Sequence, residues 1–113
     1  MAAPAFPVLL ISIDGAHPGR LFRGDTPNLD ALARRGTHAE GMRPSYPSLT
    51  FPNHYTLVTG LRPDRHGIID NRMRDPELGG FSMQDRTAVG DGRWWDDGEP
   101  LWLTAQSHGL RSA

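Results

Sequence analysis

Five of the six residues in Val8-Leu9-Leu10-Ile11-Ser12-Ile13 are aliphatic, three of them β-branched. A near-continuous run of this kind predicts a strand buried on both faces, as in parallel sheets covered by helices. It ends at Asp14-Gly15, which places a carboxylate at the strand's carboxyl end, where open α/β sheets build their sites. Asp-Gly after a strand is also a common turn, and both readings of Asp14 stand. The next element is well punctuated. Thr26 caps a helix, Pro27 opens it, Asp30 complements the dipole near its start, and Arg34 and Arg35 precede the stop at Gly36. Leu29, Leu32 and Ala33 form its expected buried stripe. A weaker, edge-like strand is expected over Thr37–Arg43. Strand, helix, strand and a further helix in alternation predict an α/β fold with a mostly parallel sheet.

That further helix begins inside Pro44-Ser45-Tyr46-Pro47-Ser48-Leu49-Thr50-Phe51-Pro52-Asn53-His54-Tyr55. Pro44 and Pro47 hold the approach out of helical geometry. Pro52 falls in the first turn, where a missing N–H does no harm. Phe51, Tyr55 and Val58 supply an apolar face, and Gly60 can close the helix. Thr50 therefore stands at the first helical residue, beside unpaired N–H groups and the positive dipole end. Such an environment suits a phosphate and favours an alkoxide over an alcohol. The same position suits a threonine that does nothing but cap the helix.

Beyond Gly60, residues 61–71 read as loop with a short apolar core. Asn71 is either a turn asparagine or a neutral amide able to donate to an oxyanion. Residues 72–92 show no helical or strand period and read as a long loop, a type of segment that tends to be functional or mobile. A last helix starts near Pro100 and ends at Gly109, and Leu110–Ala113 resembles the entry to another strand. The chain has 113 residues with Gly 13, Pro 10 and 37% hydrophobic content, so it is loop-rich with a limited core. Its net charge of −1 comes from interspersed signs, which leaves no nucleic-acid footprint. No apolar run approaches the about 18 residues of a membrane span. The start carries no basic n-region and no adequate apolar core for a signal peptide. With no cysteine, thiolate nucleophiles, thiolate metal sites and disulfides are all excluded.

Three features converge: a carboxylate after the first strand, a hydroxyl at a helix start, and an amide about twenty residues on. A carboxylate and a threonine alkoxide can share one divalent cation, which lowers the hydroxyl's pKa and offsets phosphoryl charge. Asn71 and the N–H groups after Thr50 would hold the non-bridging oxygens. In these residues the chain resembles the nucleotide pyrophosphatase/phosphodiesterases of the alkaline phosphatase superfamily. The likeness rests on Leu10–Gly15, Thr26–Leu29, Pro44–Tyr55, Leu57–Gly60, His66–Asn71 and the tail from Trp94-Trp95 through Glu99–Trp102.

The resemblance implies a three-layer α/β sandwich with a mostly parallel central sheet, of which residues 1–113 are the amino-terminal part. It implies Asp14 as a zinc ligand, Thr50 as zinc-bound nucleophile, Asn71 as a phosphate-oxygen donor, and Phe51 as part of the wall for the base or leaving group. The implied reaction passes through a covalent nucleotidyl-threonine, with nucleotides or other small phosphodiesters as substrates. Two zinc ions are implied, with most ligands Asp and His residues beyond this chain. His17, His38, His54, His66 and His108 match none of those ligands, and His38 and His54 read as packing or surface residues. The chain is thus expected to be truncated before the remaining ligands and inactive alone, and the family suggests a periplasmic or extracellular location. A sulfatase is disfavoured, because Ser45-Tyr46-Pro47-Ser48-Leu49 has leucine where that motif needs arginine. Phosphonoacetate hydrolases, lipid-directed phosphodiesterases and a non-catalytic binding module of the same fold remain open.

Overall fold

The computed structural model describes residues 6–112 and divides the chain into two compact units, Met1–Met42 and Arg43–Ala113. Met1–Ala5 and Ala113, the last residue of the expected strand entry, lie outside the described residues. No helix among the described residues is long and apolar enough to cross a membrane.

In the first unit the run Val8–Ile13 forms no strand, and its side chains are exposed, from Val8 at 94% to Ile13 at 56%. The expected strand over 37–43 is also absent. A short parallel strand has no local hydrogen bonds of its own and exists only where a neighbouring ladder receives it. The described residues of this unit offer none, so the aliphatic pattern stays unexpressed. A 3-10 turn occupies Pro18–Arg20, and helix α1 spans Pro27–Arg35 with Pro27 in its first turn and Thr26 as N-cap. The helix bounds agree with the sequence, but the expected stripe is not buried. Leu29 and Leu32 are exposed, and the buried residue of α1 is Asp30. Its Oδ1 accepts from the Phe22 N–H at 2.9 Å and from the Thr26 hydroxyl at 3.0 Å. Asp30 therefore anchors the preceding loop, where Phe22 takes a φ of 65° under the Arg34 guanidinium. An apolar helix stripe needs a sheet to cover it, and the described residues of this unit form none.

The second unit contains α2 (Thr50–Thr59), α3 (Pro63–His66), β1 (Arg72–Asp75), β2 (Gly79–Ser82), α4 (Arg86–Gly90), a 3-10 turn at Gly92–Trp95, and α5 (Leu101–Ser107). Helix α2 starts at Thr50 and closes at Gly60 with φ 72°, as the sequence predicts. Residues 61–71 are not all loop, since Pro63 opens the short helix α3. The stretch 72–92 is more ordered than expected: β1 and β2 form an antiparallel hairpin with Met73 opposite Phe81. Its turn is Asp75-Pro76-Glu77-Leu78, where the Asp75 carboxylate accepts from the N–H groups of Glu77 at 2.7 Å and Leu78 at 2.8 Å. Four-residue strands are too short for a visible period, but an Asp-Pro turn followed by Gly79-Gly80 was the available signal. Asp85 then caps α4 by accepting from Thr87 N–H at 2.9 Å. The expected last helix forms as α5, with Pro100 as its N-cap and Gly109 just past its end, while 110–112 has no strand.

The core of this unit is aromatic. Tyr55, Ile68, Phe81, Ala88 and Trp94 are buried, with Phe51, Val58, Met73 and Trp95 packed around them. Phe81 lies 5.2 Å from Trp94, 5.9 Å from Phe51 and 5.9 Å from Trp95 between ring centroids, all tilted or edge-on. Those are the favoured aromatic geometries, each adding about 0.5–1.5 kcal/mol beyond burial. The core thus fastens α2 to the hairpin and to the 3-10 turn.

Candidate active site

Leu49 is the residue that enters α2, with extended backbone at φ −111° and ψ 160°, so Thr50 is the first helical residue and not the cap. Leucine cannot cap with its side chain, and the first turn carries no acidic residue. The positive end of a ten-residue helix is therefore not offset by a carboxylate of its own.

Side chains from further along the chain take over the missing capping. Phe51 N–H donates to Asn71 Oδ1 at 2.9 Å, twenty residues away. Pro52 has no N–H to satisfy. Asn53 N–H closes the first helical bond to the Leu49 carbonyl at 3.1 Å. The Asn53 side chain turns back on the approach: Oδ1 accepts from Ser45 N–H at 2.7 Å, and Nδ2 donates to the carbonyls of Pro47 and Leu49, both at 2.9 Å. His54 Nδ1 lies 2.8 Å from the Thr50 carbonyl. A carbonyl can only accept, so the proton sits on Nδ1.

Asn71 is held by the hairpin, since its carbonyl accepts from Met83 N–H at 2.9 Å just beyond the last paired residues. Because Oδ1 accepts from Phe51, the amide is oriented and its Nδ2 end is the donor it can offer a ligand. This revises one expectation. The N–H of Phe51, offered to a phosphate on sequence grounds, is engaged by Asn71. The structure thus brings Thr50, Phe51 and Asn71 together at one helix start. Asp14 belongs to the other unit, in the turn where Ala16 N–H donates to the Ile13 carbonyl at 3.3 Å and Gly15 has φ 67°.

Behind the helix start lies a group that composition alone did not mark. His66 is fully buried. Its Nδ1 accepts from Ile68 N–H at 3.2 Å, so the proton is on Nε2, 3.0 Å from the Thr56 hydroxyl of α2. Its ring meets Tyr55 edge-on at 4.8 Å. Burial pushes its pKa below the ordinary value, so it is neutral near pH 7. His66 ties α2 to the segment leading to Asn71. Tyr55 does the same toward the other side, its hydroxyl lying within hydrogen-bond reach of the Trp95 and Gly98 carbonyls. Burial, with Asp97 nearby, raises the Tyr55 pKa and keeps it a donor.

Phe51 is half-buried and lines a cavity of about 530 Å³ with His54, Tyr55, Val58, Trp95, Pro100 and Trp102. Its ring thus presents an apolar wall directly after Thr50. Among the described residues no group of three or more His, Asp or Glu gathers to hold a metal ion. A zinc site takes about four ligands, and neither unit gathers such a set among its described residues.

Against known proteins, residues 8–113 match the family model for type I phosphodiesterase / nucleotide pyrophosphatase. An uncharacterized pyrophosphatase/phosphodiesterase of Schizosaccharomyces pombe is 48% identical over 107 residues, covering 94% of this chain and 22% of that protein. Human ectonucleotide pyrophosphatase/phosphodiesterase family member 1 is 45% identical over 109 residues, covering 94% of this chain and 12% of its own length. Venom phosphodiesterase 2 of Crotalus adamanteus is 46% identical over 110 residues, 95% of this chain and 13% of the venom protein. The chain therefore spans a quarter or less of each of these relatives. A match over residues 8–113, which include the helix that begins at Thr50 and the amide that secures it, places this chain in the type I phosphodiesterase/nucleotide pyrophosphatase family of the alkaline phosphatase superfamily.

Proposed function

We propose that this chain supplies the nucleophile and part of the phosphate-binding site of a hydrolase acting on phosphodiester or phosphoanhydride bonds of nucleotides. The observation that carries the reading is the Asn71–Phe51 hydrogen bond, which puts a neutral amide beside a hydroxyl at a helix start whose first turn carries no acidic residue. Thr50 Oγ attacks phosphorus, the bond from phosphorus to the leaving oxygen breaks, the hydroxyl proton passes through solvent to that oxygen, and a nucleotidyl-threonine forms. Water then attacks the same phosphorus, the Oγ–P bond breaks, and the monophosphate leaves with the threonine hydroxyl restored. Asn71 Nδ2 donates to a non-bridging oxygen as charge develops there, and the dipole of α2 adds to it. Phe51 faces the base or other leaving group.

Two zinc ions per complete site belong to this proposal, with Asp14 and Thr50 as the ligands from this chain and the others outside it. Bound there, such ions lower the hydroxyl's pKa and offset phosphoryl charge. The three-layer sandwich with a mostly parallel central sheet is part of the same reading. Support comes from the exposed aliphatic run Val8–Ile13 and the exposed stripe of α1, the surfaces a central strand and its covering helix present to further strands. The test is turnover of a nitrophenyl ester of a nucleoside monophosphate by the protein as its gene encodes it, with zinc present. Thr50→Ala should abolish release of nitrophenol while leaving the folded state intact. Unchanged turnover in that variant rejects Thr50 as nucleophile.

A further inference from the structure

Asn53 uses three of its hydrogen bonds on the five residues before Thr50, and none of them stabilises the helix interior. Its acceptor takes the N–H of Ser45 at 2.7 Å, and its two donors take the carbonyls of Pro47 and Leu49 at 2.9 Å each. The approach segment needs such an anchor, because Pro47 has no N–H and Leu49 has no capping side chain. The Leu49 carbonyl receives both the Asn53 backbone N–H and Nδ2, so the peptide that precedes Thr50 is gripped at its oxygen. The peptide that follows Thr50 is gripped at its nitrogen, by Asn71. Together with His54 Nδ1 at the Thr50 carbonyl, these two amides hold both peptide planes of Thr50, and with them the direction of its Cα–Cβ bond.

We propose that Asn53 is a positioning residue for the nucleophile: it sets where Thr50 Oγ stands relative to phosphorus without touching the substrate. The inference rests on the reading of Thr50 given above. In-line attack tolerates little displacement, and a shift of about 1 Å in a reacting group costs on the order of 10²-fold in rate. Asn53→Asp keeps the acceptor for Ser45 but replaces both donors with oxygen, which sets a carboxylate against two carbonyls. Asn53→Ala removes all three bonds with no new charge.

The test uses the protein as its gene encodes it, with a nitrophenyl ester of a nucleoside monophosphate as substrate, and reads kcat, KM, the pH profile and urea stability. Asn53→Ala and Asn53→Asp should each lower kcat about 10²-fold with KM within about threefold of wild type. Asn53→Asp should regain part of that loss at acidic pH relative to Asn53→Ala, because a protonated carboxyl restores one donor. A merely structural role moves neither the kcat-against-KM split nor the relative pH profile. Wild-type kcat in either variant overturns the proposal, as does a loss that follows only the fraction of unfolded protein. If neither variant folds, Asn53 serves the fold and the proposal is withdrawn. Thr50→Ala run in parallel separates the two readings: an active Thr50→Ala rejects the nucleophile, whereas an inactive one beside a wild-type Asn53→Asp rejects the positioning alone.

Discussion

Asn71 has two ends, of which Oδ1 caps the first turn of α2 and Nδ2 is the proposed phosphate donor, so two substitutions should separate what one deletion would confuse. Asn71→Ala removes Oδ1 and leaves the Phe51 N–H in the half-buried first turn of α2 without its acceptor. A capping bond of this kind is worth about 1 kcal/mol, and an unsatisfied donor costs about 1–3 kcal/mol. The expected loss of folding stability is therefore about 1–2 kcal/mol. Asn71→Asp keeps an oxygen at the same reach and strengthens it by charge. A carboxylate at a helix N-terminus gains about 0.3–1 kcal/mol from the dipole, so stability should be unchanged or slightly higher. Catalysis should go the other way, because the carboxylate has no N–H for the phosphoryl oxygen and repels it. Loss of one such donor costs about 10²–10³ in kcat, and the added charge deepens that. Urea denaturation and steady-state turnover of the full protein should thus order the variants oppositely: Asn71→Ala unstable, Asn71→Asp stable, both slow. An Asn71→Asp protein with near wild-type kcat would falsify the donor role. An Asn71→Ala protein of wild-type stability would show that the Phe51 bond does not secure the helix.

Two further expectations concern the frame that carries the site. A Cβ on Gly98 would stand 2.9 Å from Thr59 Cγ2 and 3.0 Å from the Tyr55 hydroxyl, so Gly98→Ala must displace α2 or the loop. It should cost about 1–3 kcal/mol by denaturant melting, and a neutral result would show that the Tyr55 contact yields easily. His66 should make stability depend on pH. Its folded pKa lies below the unfolded value of about 6.5, so the unfolded chain binds the extra proton first. This contribution is complete above about pH 6.5 and declines as pH falls through the lowered folded pKa. Denaturation midpoints measured from pH 7.5 down to 5 should fall more steeply for wild type than for His66→Gln. Equal slopes would mean that His66 titrates as it does in the unfolded chain.

Local chemistry was legible where a few neighbouring residues decide the outcome. Pro27 and Gly36 bound α1, and Thr50 and Gly60 bound α2, because helix ends depend on dihedral limits and on the groups within one turn. The hairpin within 72–92 was missed because its strands are four residues long, and it is held by Phe81 reaching Trp94 and Trp95. The stretches Pro44–Tyr55 and His66–Asn71 singled out Thr50 and Asn71 as candidates, but not the bond by which Asn71 holds the residue after Thr50.

Amino-acid order alone determined that a hydroxyl stands at a helix start, with an amide twenty residues beyond. Tertiary structure decided that the amide's oxygen caps the residue after that hydroxyl, and that Asn53 grips the peptide before it. It also decided that Val8–Ile13 forms no strand. Helix ends are written in short-range hydrogen bonds, whereas strands and clamped side chains exist only where a partner arrives from elsewhere in the chain.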